Sequence, residues 1–213
     1  MATITKGILG GFSGIVGTVV GVNWRGKDII RSRPKAGART PTEKQLMQQM
    51  KFSLVVGFLQ PLKPIQQMYF GAASGARSRV NLAVSYTISE ALQVVNDIPE
   101  LIYNKVLITK GDLLGFQNVE AATQAAGILQ MTWEDNTTQG NASPADVVNV
   151  VCYCEELNAF EIYQGVASRA DLAASVALPV YFSGKEIQVW AYMNNSKETQ
   201  ACSSPYLGSF TVQ

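Results

Sequence analysis

The polar and apolar positions of this chain follow two different periods, one on each side of about residue 111. Between Thr40 and Phe70 the period is helical. Leu46, Met47, Met50, Leu54, Phe58 and Leu62 recur every three or four residues, with Lys44, Gln48, Gln49 and Lys51 on the other side. Thr40-Pro41-Thr42-Glu43 gives this helix a start, with Thr40 as cap, Pro41 at the first helical position and Glu43 closing a capping box. Pro61 and Pro64 break or kink it, and residues 65–70 continue it. The Met and Phe stripe is expected in the core. Residues 81–86 and 88–95 read as two shorter helices, the second capped by Thr87 with Glu90 three positions on. Residues 103–109 read as a strand.

Beyond residues 111–127 the alternation becomes two-fold. Strands are expected at 129–133, 147–155, 161–165, 172–178, 186–193 and 209–212, separated by turn-rich segments at 135–144, 183–185 and 194–205. Short alternating strands with polar turns predict a β-sandwich of immunoglobulin or fibronectin type III character, with Trp133 and Trp190 as core aromatics. The Cys…Trp…Cys arrangement of antibody domains is missing. The same two-fold pattern marks the N-terminal segment. Val16, Thr18, Val20, Val22 and Trp24 alternate, and Arg25-Gly26-Lys27-Asp28 supplies a turn. Ile30, Ser32 and Pro34 then alternate with Arg31, Arg33 and Lys35, so one face of the second strand is basic. The expected fold class is therefore α+β. Residues 1–112 form an N-terminal β-hairpin plus helices, and residues 113–213 form the sandwich.

The glycine-rich stretch from Gly7 to Gly21 admits other readings. As a signal peptide it lacks a small-residue cleavage site and carries five glycines in its apolar run. As a membrane helix, fifteen residues fall short of the ~20 that span a bilayer. Gly7, Gly10, Gly14, Gly17 and Gly21 would line one helix face, but the hairpin explains more residues. Neither a signal nor a membrane span is expected. The chain is then cytoplasmic on synthesis, with a virion or extracellular assembly as a destination.

Charge divides the chain in the same place as the period. Residues 1–80 hold twelve Lys and Arg against two acids, and residues 81–213 hold five against fourteen, although the net charge is +1. Opposite halves on one chain favour head-to-tail contact between copies. The 213 residues are 47% hydrophobic and 15% charged, against roughly 25% charged in ordinary soluble domains. Mean hydropathy is +0.08. So low a charge suits either a large core or a surface covered by other subunits.

The chemistry available is limited. The chain has no histidine, so Ser-His-Asp and Cys-His catalysis and histidine metal sites are excluded. Cys152, Cys154 and Cys202 are expected as buried free thiols. Asn136, Asn141 and Asn194 head glycosylation patterns that carry little weight without a signal. Asp135, Asp146, Glu155 and Glu156 match no calcium-loop spacing and read as solvated loop charge. No cofactor and no metal are expected.

The run KGILGGFSGIVGTVVGVNWRGKDIIRSRPK, followed by TPTEKQLMQQMKFSLVVGFLQPL and later YNKVLITKGDL, resembles a family of uncharacterised Bacteroidota proteins grouped as a domain of unknown function. The resemblance covers both halves, most strongly residues 6–70. It implies a bacterial or prophage-linked source and no activity. RSRPK…TPTEKQ is similar in style to small phage structural proteins, a weaker likeness.

These features rank three roles. The first is a non-enzymatic structural subunit that self-assembles into a filament, tube or virion. Its interface would use Gly14, Gly17, Gly21, Trp24, Arg25, Arg31, Arg33 and Lys35, and its partners would be copies of itself. The second is a monomeric adhesion or binding module working through the sandwich loops. The third is a nucleic-acid-associated protein using residues 25–39. That segment comes without a recognition helix or stacking motif, so nucleic acid is the less expected partner.

Overall fold

The computed structural model describes residues 2–4, 10–24, 26–34, 40–73, 75, 77–124 and 127–213, with the backbone alone for 2–4. The chain is mixed α+β, with three α-helices and mostly antiparallel sheets among the described residues. It divides into two compact units, residues 1–45 with 74–76 and residues 46–73 with 77–213.

The first unit is an antiparallel meander of four strands, β1 (Ala2–Ile4), β2 (Phe12–Val16), β3 (Val19–Trp24) and β4 (Lys27–Ser32). The expected hairpin is its β3–β4 half. Val16 pairs with Val19 across the two-residue turn Gly17-Thr18, where Gly17 takes φ +56°. A two-residue hairpin turn needs such a φ for its twist to match the strands. Trp24 pairs with Lys27, so the chain reverses between them in a second turn, and Lys27 and Asp28 already lie in β4. Asn23 braces this turn. Its carbonyl oxygen accepts from the Gly26 N–H at 3.1 Å, and its amide donates to Asp28 at 2.9 Å.

In the second unit, helices and sheets share one core. Helix α1 (Glu43–Leu59) starts on a capping box two residues later than expected. The Gln45 N–H donates to the Thr42 hydroxyl at 3.4 Å, and the Thr42 N–H donates to the Gln45 side chain at 3.0 Å. Its C-terminal half is buried through Val55, Phe58 and Leu59, but Leu46, Met50 and Phe52 are exposed. The predicted core stripe is therefore a core stripe only in its second half. Helix α2 (Lys63–Tyr69) follows with Pro64 in its first turn, as the prolines imply. Residues 79–90 form one helix, α3 (Arg79–Glu90), where two were expected. Ser78 caps it by accepting from the Asn81 N–H at 3.2 Å, while Thr87 sits inside and donates its hydroxyl to the Ala83 carbonyl. Residues 92–95 are not helical. They form β5 (Leu92–Val95), which turns through Asn96 and Asp97, both at positive φ, into β6 (Ile98–Leu101). The strand expected at 103–109 is a short 3-10 turn over 103–105 followed by irregular chain.

The remaining strands are β7 (Gln117–Gln124), β8 (Ile128–Glu134), β9 (Val147–Cys154), β10 (Ala159–Ser168), β11 (Ala173–Ala177), β12 (Glu186–Asn194) and β13 (Tyr206–Thr211). All six predicted strands appear, and β7 is additional. They form two antiparallel sheets, ordered β10-β9-β12-β13 and β11-β8-β7. The sheets adjoin at their edges. Thr123 of β7 donates to the Thr211 carbonyl at 3.1 Å, and Tyr163 of β10 donates to the Ala177 carbonyl at 3.1 Å.

Strands β9 and β12 are buried almost throughout, not on alternate residues. The helices are the reason. Phe58 of α1 meets the rings of Tyr153 and Trp190 at 5.0 and 6.4 Å, and Tyr69 of α2 meets Tyr192 at 6.1 Å. Since Gln188 pairs with Tyr153 and Trp190 with Val151, these aromatics share one face of the sheet. Cys152, Cys154, Val189 and Met193 point to the other. Trp133 and Trp190 are both buried, as expected of core aromatics.

Candidate assembly surface

The register of the N-terminal sheet sorts its side chains into two faces. One carries Ile15, Val20 and Arg31 in a row, then Val22 beside Ile29, then Trp24 beside Lys27. The other carries Val16, Val19 and Ser32, then Gly14, Gly21 and Ile30, then Asn23 beside Asp28. Large apolar side chains stand exposed on both: Ile15, Trp24 and Ile29 on the first, Val16 and Ile30 on the second. Trp24 is 55% and Ile30 63% exposed. Strand β4 ends the sheet, and all six of its residues are exposed.

The predicted contact residues take different places in this sheet. Gly21 is buried. A Cβ there would lie 2.2 Å from the Phe12 carbonyl oxygen and 2.6 Å from its ring, so this glycine exists to let Phe12 lie across β3. Gly14 is its cross-strand partner, at φ +117°, and Gly17 forms the turn. The glycines therefore shape the sheet, and its exposed apolar area comes from Ile15, Val16, Trp24, Ile29 and Ile30. Trp24 and Arg31 share the first face. Arg33 follows β4 and donates its backbone N–H to the Thr18 carbonyl at 2.8 Å. Arg31 and Arg33 are exposed, and neither forms an ion pair among the described residues. Arg25 and Lys35 lie outside the described residues.

Other candidate chemistry resolves into structure. Asp146 is not a solvated loop charge: it is buried and accepts from Arg169 Nε at 3.0 Å. Arg169 is itself fully buried. Its remaining donors reach Asn136 at 2.6 Å and the carbonyls of Leu114 and Gly115 at 2.6 and 3.1 Å. The Arg169 carbonyl accepts from the Trp133 indole at 2.9 Å. The Asn136 and Asn194 side chains, both glycosylation candidates in sequence, are buried and hydrogen-bonded. Asn141 bridges Leu114 and Asp112. All three cysteines are buried and free. Burial, then the nearby Glu161, pushes the Cys152 thiol up to about 12, and burial pushes Cys202 up to about 11. Thiols held neutral in this way are poor nucleophiles. Among the described residues no three Cys, Asp or Glu converge as metal ligands, and no helix is long and apolar enough to cross a membrane.

The model of a family of unknown function, DUF6266, matches residues 11–208 of this sequence. The search of curated proteins finds no match.

Proposed function

The chain belongs to that family of unknown function, and we propose, from its own geometry, that it is a non-enzymatic structural subunit that assembles with copies of itself through the N-terminal sheet. The observation that carries this reading is a four-stranded sheet with large apolar side chains exposed on both faces. A sheet of a free monomer covers one face and leaves the other polar. An exposed edge strand recruits further strands unless it is blocked. The cations of Arg31 and Arg33 give the contact a direction, toward acidic surface on a neighbour, and residues 81–213 supply the acids. The exposed Leu46, Met50 and Phe52 of α1 add to the apolar area that a neighbour would cover.

Seven strands divide four and three, and the chain crosses between the sheets after β8, β10 and β11. That pattern fits a sandwich of immunoglobulin or fibronectin type III character, a common spacer in repeated assemblies.

The test is sedimentation velocity with negative-stain microscopy at low and high salt, on the wild type and on Arg31→Glu/Arg33→Glu. Wild-type protein is expected to form large regular particles that dissociate as salt rises, because exposed charges are screened within about 10 Å at 0.1 M ionic strength. The double variant is expected to remain a folded monomer. Assembly of the variant indistinguishable from wild type would remove these arginines from the interface.

A further inference from the structure

A cleft of about 620 Å³ opens in the second unit between α1 and β6, and part of its wall is aromatic. Phe58, Tyr103 and Tyr153 line it with ring centroids 5.0 to 6.2 Å apart. The Tyr153 hydroxyl donates to Asn158 at 3.1 Å. Burial, and then the neighbouring Glu155 carboxylate, holds the Tyr103 phenol above its usual range. Two exposed carboxylates, Glu100 and Glu155, also line the cleft, and neither forms an ion pair among the described residues.

The partly exposed Tyr103 ring, backed by the buried Phe58 and Tyr153 and accompanied by two exposed carboxylates, favours one kind of guest. Ring faces attract cations, carboxylates accept from a guanidinium, and an apolar wall suits the methylene stem of a long basic side chain. An anion would meet two like charges. Ile98, 57% exposed, also lines the cleft and offers apolar area beside the charged position.

We propose that this cleft receives an arginine side chain from residues 31–33 of a second copy of the chain. The chain carries the complement: Arg31 and Arg33 are exposed next to the exposed Ile30, and the acceptor carries two carboxylates free of ion pairs among the described residues. Donor and acceptor are different residues of one chain, so the contact repeats head to tail in rings or open filaments, or is made twice in a two-fold dimer where each copy's arginine enters the other's cleft. The proposal rests on the assembly reading above and gives it an acceptor.

The test keeps the two separable. An eight-residue peptide, KDIIRSRP, copied from positions 27–34, is titrated into the full-length Arg31→Glu/Arg33→Glu protein, whose own donor is removed. Binding is followed by NMR at the Tyr103 and Tyr153 rings. The expected result is saturable perturbation of both rings. Affinity should fall about two- to tenfold in a background that also carries Glu100→Gln and Glu155→Gln, and binding should be lost with a peptide whose arginines are alanine. No perturbation of the tyrosines, or an affinity indifferent to Glu100 and Glu155, overturns the cleft as acceptor. In that event, wild-type assembly that still needs Arg31 and Arg33 leaves the broader reading standing. A wild type that stays monomeric at every concentration defeats both.

Discussion

Taking away the Arg169 side chain strands a carboxylate. Asp146 would remain buried without its cation, and the carbonyls of Leu114 and Gly115 would lose donors in the same step. Breaking a buried pair from one side costs about 3–5 kcal/mol. Arg169→Met is therefore expected to lower the urea midpoint by that equivalent with an unchanged slope. A loss under about 1 kcal/mol would show that water replaces the guanidinium. Nothing in the local sequence announces this residue. Its partners sit 23, 33, 54 and 55 positions away, and no period of two or 3.6 connects them. Asp146 read as a loop charge for the same reason: burial that is produced by distant chain leaves no local trace. Gly21 is a related case. Its composition suggested a small-residue contact surface, whereas the requirement is the passage of Phe12 over β3, which depends on the β2–β3 register.

At the level of elements, the strands of the second half were readable because each alternates or carries a dense apolar run between polar turns. β7 was missed because Gln117–Gln124 is polar on its exposed face and half-buried on the other. The α3 region misled through its caps. Thr87 with Glu90 has the capping-box spacing, but Thr87 lies in mid-helix and bonds back to Ala83. The working cap is Ser78. Ser78→Ala is expected to cost about 1 kcal/mol, seen as a melting temperature lower by about 2–4 °C for a chain of this size. Thr87→Ala should leave the helix start intact, and a loss well under about 0.5 kcal/mol from Ser78→Ala would contradict the cap assignment. The α1 stripe was legible as a pattern but not as a burial map. A 3.6-residue period identifies an apolar face without saying whether the chain's own core or a neighbour covers it.

Across the whole molecule, the titration behaviour of the core has a single sign. Burial holds Cys152 at about 12, Cys202 at about 11 and Tyr163 at about 12, all above their ordinary values. The folded state thus keeps protons that the unfolded state releases. The stabilisation from these groups is fully present below about pH 8.5 and declines as pH rises through the folded values. Chemical denaturation between pH 8 and 11 is expected to show a steadily falling midpoint, steepest above pH 9, with thiol reagents reacting only in step with unfolding. Rapid labelling of folded protein at pH 8 would refute the burial of these cysteines. The two-period division of the sequence marked a boundary near residue 112, whereas the compact units part at Gln45. The difference comes from Phe58 and Tyr69, which pack on Trp190, Tyr153 and Tyr192 and bring the helices into the core of the sheets.

The short pairings of the N-terminal sheet also set a timetable. Its strands pair in chain order, so every partner it needs has been synthesised once Ser32 emerges. Arg169, by contrast, must wait beside four earlier groups before the second unit can close, and pairings that remote form slowly. Each nascent chain therefore presents this sheet well before the rest is finished. Neighbouring ribosomes on one message hold such sheets close together, so the self-assembly proposed above would begin during translation.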